Sequence, residues 1–140
     1  MTAATISDDE RRDRLRLIRS ENVGPATYQQ LIAHYGSASN ALTALPELSR
    51  RGGLKRQIRI YAEDSADRDI DRASALGARF VEVTDNDYPD LLRHVDAPPP
   101  LLCIKGTPEV LMRSTLAIVG ARNASANGRK FARQMAAELG

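Results

Sequence analysis

The run with the clearest chemical potential is Gly120-Ala121-Arg122, which follows the apolar stretch Thr115-Leu-Ala-Ile-Val119 and precedes Ser125 and Gly128. A strand that ends at a glycine and gives way to a helix leaves backbone N–H groups unpaired at the helix start, where they attract anions. Gly120 permits a tight turn and close approach of a ligand. Arg122 brings a planar fork of donors suited to a phosphate, Ser125 is placed to cap the helix, and Asn123 and Asn127 add polar groups. Two common nucleotide motifs do not fit. The dinucleotide fingerprint needs a second glycine where Ala121-Arg122 stand, and a Walker A loop needs Lys and Ser/Thr where Gly128 is followed by Arg129-Lys130-Phe131. The loop therefore offers an anion a side chain rather than bare backbone. The competing reading is an arginine that is solvated or paired with a local carboxylate. Arg129, Lys130 and Arg133 individually fit a solvated helix face, and their clustering with Arg122 favours an anion.

No other constellation carries chemistry. His34 and His94 are far apart in sequence with no cysteine spaced for zinc, so no metal and no cofactor are expected. No nucleophile, base and orienting group can be assembled, so the chain is not read as an enzyme. Cys103, the single cysteine, excludes an internal disulfide; in the apolar run Pro100-Leu-Leu-Cys-Ile-Lys105 it is expected to be a buried, inert thiol in a reducing cytoplasm. The N-terminus lacks the apolar core of a signal peptide, and no apolar run has the length of a membrane span. Aromatic residues are 4% of the chain, too few for a wide base-stacking platform. Net charge is +2, but residues 1–62 hold ten Lys/Arg against six Asp/Glu while residues 63–140 hold ten against twelve. Positive charge is thus expected to favour a polyanion at the N-terminal region and around Arg122.

The elements that must position these residues fall into two parts. Ser7 as a cap, with Asp8, Asp9 and Glu10 in the first turn, starts a helix carrying Leu15, Leu17 and Ile18. Gly24-Pro25 starts a second helix that ends near Gly36, a short third fits Ser37–Leu45 with Pro46 interrupting, and Leu54–Asp64 reads as a fourth. Gly24-Pro25 resembles the turn of a helix-hairpin-helix, and Arg50, Arg51, Lys55, Arg56 and Arg59 form a basic stretch that serves DNA, a protein partner or solvent alone. Beyond it, Ser65–Gly77 predicts a helix whose aspartates alternate with Arg68 and Arg72 as a solvated face. Strands follow at Ala78–Val83 and Leu101–Lys105, with Tyr88-Pro89 and Pro98–Pro100 between them serving packing and chain direction. Leu116–Gly120 reads as a strand buried in a parallel sheet. The class is α/β, with a small helical bundle over residues 1–64 and an α/β part over 65–140.

Residues 116–139 resemble the start of the Rossmann-like domain of the DNA-processing protein A (DprA/Smf) family, in which an apolar strand leads into Gly-Ser-Arg, then Ala-Ser-x-x-Gly, then an alanine-rich helix. The preceding Tyr88-Pro89-Asp90-Leu-Leu92, the proline cluster, the apolar strand and Gly106 are similar to the same family's pattern. The resemblance implies a sterile-alpha-motif-like helical domain followed by the first part of an extended Rossmann-like domain, and a chain that is the N-terminal portion of a longer protein. It implies single-stranded DNA binding, protection of incoming DNA, loading of the recombinase RecA in natural transformation, and a homodimer in the full-length protein, away from any membrane. Carried over by motif, Gly120, Arg122, Ser125 and Gly128 hold a DNA phosphate, with Arg129 and Lys130 as accessory contacts. Ala121 departs from the usual serine or threonine, and Asn127 from a frequent aromatic. The alternative is a nucleotide-processing enzyme of the lysine-decarboxylase-like phosphoribohydrolase group, whose helix N-terminus holds a ribose phosphate. A further reading makes the helical bundle a protein-interaction module.

Overall fold

The computed structural model describes residues 6–53 and 56–139. Helix α1 spans Asp8–Arg19, and the Ser7 hydroxyl accepts from the Glu10 N–H at its start. Helix α2 spans Pro25–Tyr35 and stops at Gly36, whose φ of 79° is the left-handed conformation that glycine adopts without strain. Helix α3 spans Ala38–Arg51 and runs through Pro46 rather than breaking there. The proline removes one backbone donor, but Leu42 and Leu45 are buried on the same face and their packing outweighs the lost bond. Leu17, Val23, Tyr28, Leu31, Ala38, Ala41, Leu42, Leu45 and Ile58 form the core of this helical unit.

The helix expected over Leu54–Asp64 is not formed. Leu54 and Lys55 lie outside the described residues, and residues 57–62 have no helical structure. Ile58 is buried and Ile60 packs against the same core, an alternation that needs an extended chain. The segment is stitched to the α1–α2 connection: the Glu21 N–H donates to the Arg59 carbonyl at 3.0 Å, the Tyr61 N–H to the Ser20 hydroxyl at 3.0 Å, and the Arg16 guanidinium to the Tyr61 carbonyl at 3.2 Å.

Helix α4, Glu63–Ala75, ends at Gly77 with φ of 69° and leads into β1, Ala78–Glu82. Strand β2, Leu101–Lys105, pairs antiparallel with β1, Ala78 opposite Lys105 and Glu82 opposite Leu101. The connection carries helix α5, Asp90–Arg93, and the fully buried Tyr88. Tyr88 packs with Val81 and Ile104 in a second small core, and its hydroxyl donates to the Pro99 carbonyl at 2.7 Å. The expected packing role of Tyr88 and the proline cluster is what the structure has. Cys103 differs from expectation: it is exposed, because on β2 it faces away from buried Ile104.

A short 3-10 helix, Pro108–Met112, precedes residues 114–121, which form no strand. Leu116, Ile118 and Val119 are exposed, Val119 to 90%. An apolar run of strand-forming residues needs a neighbouring ladder to satisfy its N–H and C=O groups, and among the described residues the sheet is the β1–β2 pair alone. Helix α6, Ala126–Leu139, has no buried residue. The molecule is thus mixed α/β, a helical unit followed by a small sheet with helices.

Candidate nucleic-acid interface

Charge on α1 is consumed inside the molecule. Arg14 donates to Glu10 at 3.0 Å and to Glu82 at 2.7 Å. Arg11 reaches Asp85 at 3.5 Å, Arg12 reaches Glu63 at 3.1 Å and Asp67 at 3.7 Å, and Arg19 reaches Asp69 at 3.7 Å. Arg16 pairs with Asp13 at 2.8 Å. The acidic face of α4, expected to be merely solvated, is therefore docked on α1. The N-terminal excess of arginine is correspondingly less available to a polyanion than its count suggests.

Glu82 is the centre of this seam. Only 1% of it is exposed, and one carboxylate oxygen, Oε1, has no hydrogen-bond partner. Burial pushes its carboxyl above the usual range, against the attraction of Arg14 and Arg11. Glu10 holds the network to α3 by accepting from the Ala38 N–H at 2.9 Å, and Asp85 accepts from the Glu82 N–H at 2.9 Å. Sequence reading missed these residues because their partners are up to 74 positions apart.

The residues around Gly120 are the opposite case. Arg122, Arg129, Lys130 and Arg133 are exposed, and the ion pairs of the described residues all lie elsewhere. Glu138, the acidic residue of α6, accepts instead from Gln134 at 2.9 Å. Ser125 caps α6: its hydroxyl accepts from the Gly128 N–H at 3.1 Å, and its carbonyl from the Arg129 N–H at 3.0 Å. The Arg129 guanidinium folds back to the Ala124 carbonyl at 3.2 Å, which brings a second cation to the loop that carries Arg122. At Gly120 neither a positive φ nor a close neighbour is found, so the tight turn expected of it is not used. A Cβ at Gly128 would stand 3.4 Å from the Ser125 hydroxyl, an ordinary contact.

What this arrangement can do is limited and clear. Three side-chain cations, Arg122, Arg129 and Lys130, stand at the dipole-positive end of a 14-residue helix, which attracts anions and discriminates little among them. Among the described residues no group of three or more His, Cys, Asp and Glu could hold a metal, and no helix is long and apolar enough to cross a membrane.

Comparison with protein families matches residues 8–71 to the DprA-like N-terminal HHH domain and residues 79–140 to DNA recombination-mediator protein A. Curated proteins give no match. The first match covers the helical unit with its Gly24-Pro25 turn; the second covers the β1–β2 pair, the buried Tyr88 connection and the cationic start of α6. The two fall in order along the chain, and the chain belongs to the DNA-processing protein A (DprA/Smf) family, with its part in DNA processing and recombination.

Proposed function

We propose that the chain binds single-stranded DNA through its sugar-phosphate backbone, with Arg122 as the principal contact, Arg129 and Lys130 beside it, Gly120 leaving open space for the strand's close approach, and Ser125 and Gly128 shaping the helix start. The observation that carries this reading is the contrast in charge: every arginine of α1 is matched to a carboxylate, whereas the cations at the start of α6 stand open to solvent with no carboxylate partner among the described residues. Unmatched surface cations are where a polyanion gains most, because no internal pair must be broken first. The family membership favours DNA over the ribose phosphate of the phosphoribohydrolase alternative. In this reading the protein is a binding protein rather than an enzyme. On the same reading it protects incoming single strands and passes them to RecA in natural transformation, in the cytoplasm and as a homodimer of the full-length protein.

Fluorescence anisotropy with a labelled oligonucleotide tests the contact. Arg122→Ala is expected to weaken binding and to lower the slope of log affinity against log salt by about 0.7, one released counterion on a single strand. Affinity equal to wild type across the salt range would remove Arg122 from the interface.

A further inference from the structure

Helix α1, helix α4 and strand β1 meet around a cleft of about 450 Å³, on elements separate from the Arg122 loop. Small-molecule sites have volumes of roughly 300–1,000 Å³, with mostly apolar walls and a few placed polar groups, and this cleft has that character. Leu15 of α1, Ile70 of α4 and Phe80 of β1 supply apolar wall. On α1, Arg11 stands one turn before Leu15; on α4, Ser74 stands one turn after Ile70, so each helix turns an apolar and a polar side chain to the cleft together. Arg79 and Asp87 border it as well.

The charged groups are not equally held. Arg79 and Asp87 face each other in a close ion pair. Arg11 has two contacts at the outer limit of hydrogen bonding, 3.5 Å to the Asp85 carboxylate and 3.5 Å to the Phe80 carbonyl. Asp85 does not depend on it, because the same oxygen, Oδ2, accepts from the Glu82 N–H at 2.9 Å. Arg11 can therefore turn to a new acceptor while its present partner keeps its closest donor.

We propose that this cleft binds a small monocarboxylate with an aromatic or branched apolar body, its carboxylate on Arg11 and its body against Leu15, Ile70 and Phe80. A guanidinium matches a planar carboxylate through two parallel hydrogen bonds. The apolar wall gains from a hydrocarbon body and nothing from a bare inorganic anion. A cationic ligand finds the carboxylate of the cleft, Asp87, already matched to Arg79, and a dianion brings a second negative charge beside it.

Titration of the isotope-labelled full chain with hydrocinnamate, its uncharged amide and phenyl phosphate, followed by backbone amide chemical shifts, tests the site. Hydrocinnamate is expected to shift the amides of Ser74, Ala78 and Phe80 saturably and to bind about tenfold more tightly than its amide, the effect of one charge-assisted contact. Phenyl phosphate is expected to bind more weakly than hydrocinnamate. Arg11→Gln is expected to abolish the preference for acid over amide while the amide still binds, a pattern that general loss of structure does not give. Ser74→Phe, at an exposed position of α4, is expected to block both ligands with Arg11 in place. The proposal is overturned by the absence of a saturable shift, by shifts that map to other residues, by equal affinity for acid and amide, or by tighter binding of phenyl phosphate. A preference that survives Arg11→Gln, or binding that survives Ser74→Phe, overturns it too. So does displacement of hydrocinnamate by a single-stranded oligonucleotide, which would make the cleft part of the DNA surface.

Discussion

Glu21 and Glu82 are two carboxylates with opposite pH behaviour, and each can be read from its surroundings. The Arg56 side chain and then the Arg59 N–H hold Glu21 at about 2, against an ordinary value of 4.5. Its ionised form therefore favours the folded state fully above about pH 4.5, and that contribution is lost as pH falls from 4.5 through 2. Glu82 is raised by burial, so its folded form takes up a proton more readily than the unfolded chain does, and its contribution to stability weakens as pH rises. Acid titration followed by circular dichroism is expected to show a shallower loss of stability between pH 4.5 and 2 for Glu21→Gln than for wild type; identical acid limbs would show that Glu21 does not hold the 57–62 segment in place. At this scale the sequence was legible where chemistry is local. Ser125 was readable as a cap because its partner is three residues away. Glu82 was not, because the arginine that matches it lies 68 positions earlier.

Elements show the same division between local and distant causes. Helices α1, α2 and α4 were readable from caps, Gly24-Pro25, Gly77 and apolar spacing, and β2 was readable to the residue. Segment 57–62 was misread as helix because its charged residues fit a helical surface, although Gln57-Ile58-Arg59-Ile60 already alternates as an extended chain does. The α1–β1 seam yields a stability comparison. Arg14→Met removes the closest counter-charge of a buried carboxylate and is expected to cost about 3 kcal/mol, the range for breaking a buried pair from one side. Glu82→Gln removes the buried charge itself and leaves Arg14 paired with Glu10, so its cost is expected to be about 1 kcal/mol or less. Urea melts of the two variants check the order; a Glu82→Gln protein less stable than Arg14→Met would mean that the seam is held by something other than charge matching.

On the scale of the whole chain, apolar surface and charge are both unevenly spent. Leu116, Ile118 and Val119, together with Phe131 and Leu139 on α6, leave a set of large apolar side chains exposed, Phe131 to 63%. Such surface favours association. Val119→Asp combined with Phe131→Asp is expected to reduce both light scattering at high protein concentration and binding of a hydrophobic dye; unchanged readings would locate the sticky surface elsewhere. The candidate DNA contact was legible as residue types, because Gly120, Arg122 and Ser125 stand together in sequence. Its distinction from the rest of the arginines was not, since that depends on which carboxylates the fold brings to α1.

The segment from Arg113 to Asn123 is exposed throughout and belongs to no helix or strand. A main chain in that condition can enter a protease's active-site cleft, whereas the arginines of α1 sit in a packed helix. Trypsin is expected to cut first after Arg113 and Arg122, and the two bonds carry different information. Single-stranded DNA that covers Arg122 slows the second cut and leaves the first nearly unchanged, so the ratio of the two fragments, read by mass, reports occupancy of the loop without any label on protein or DNA. Equal slowing of both, or of neither, would mean that the strand does not lie across Arg122.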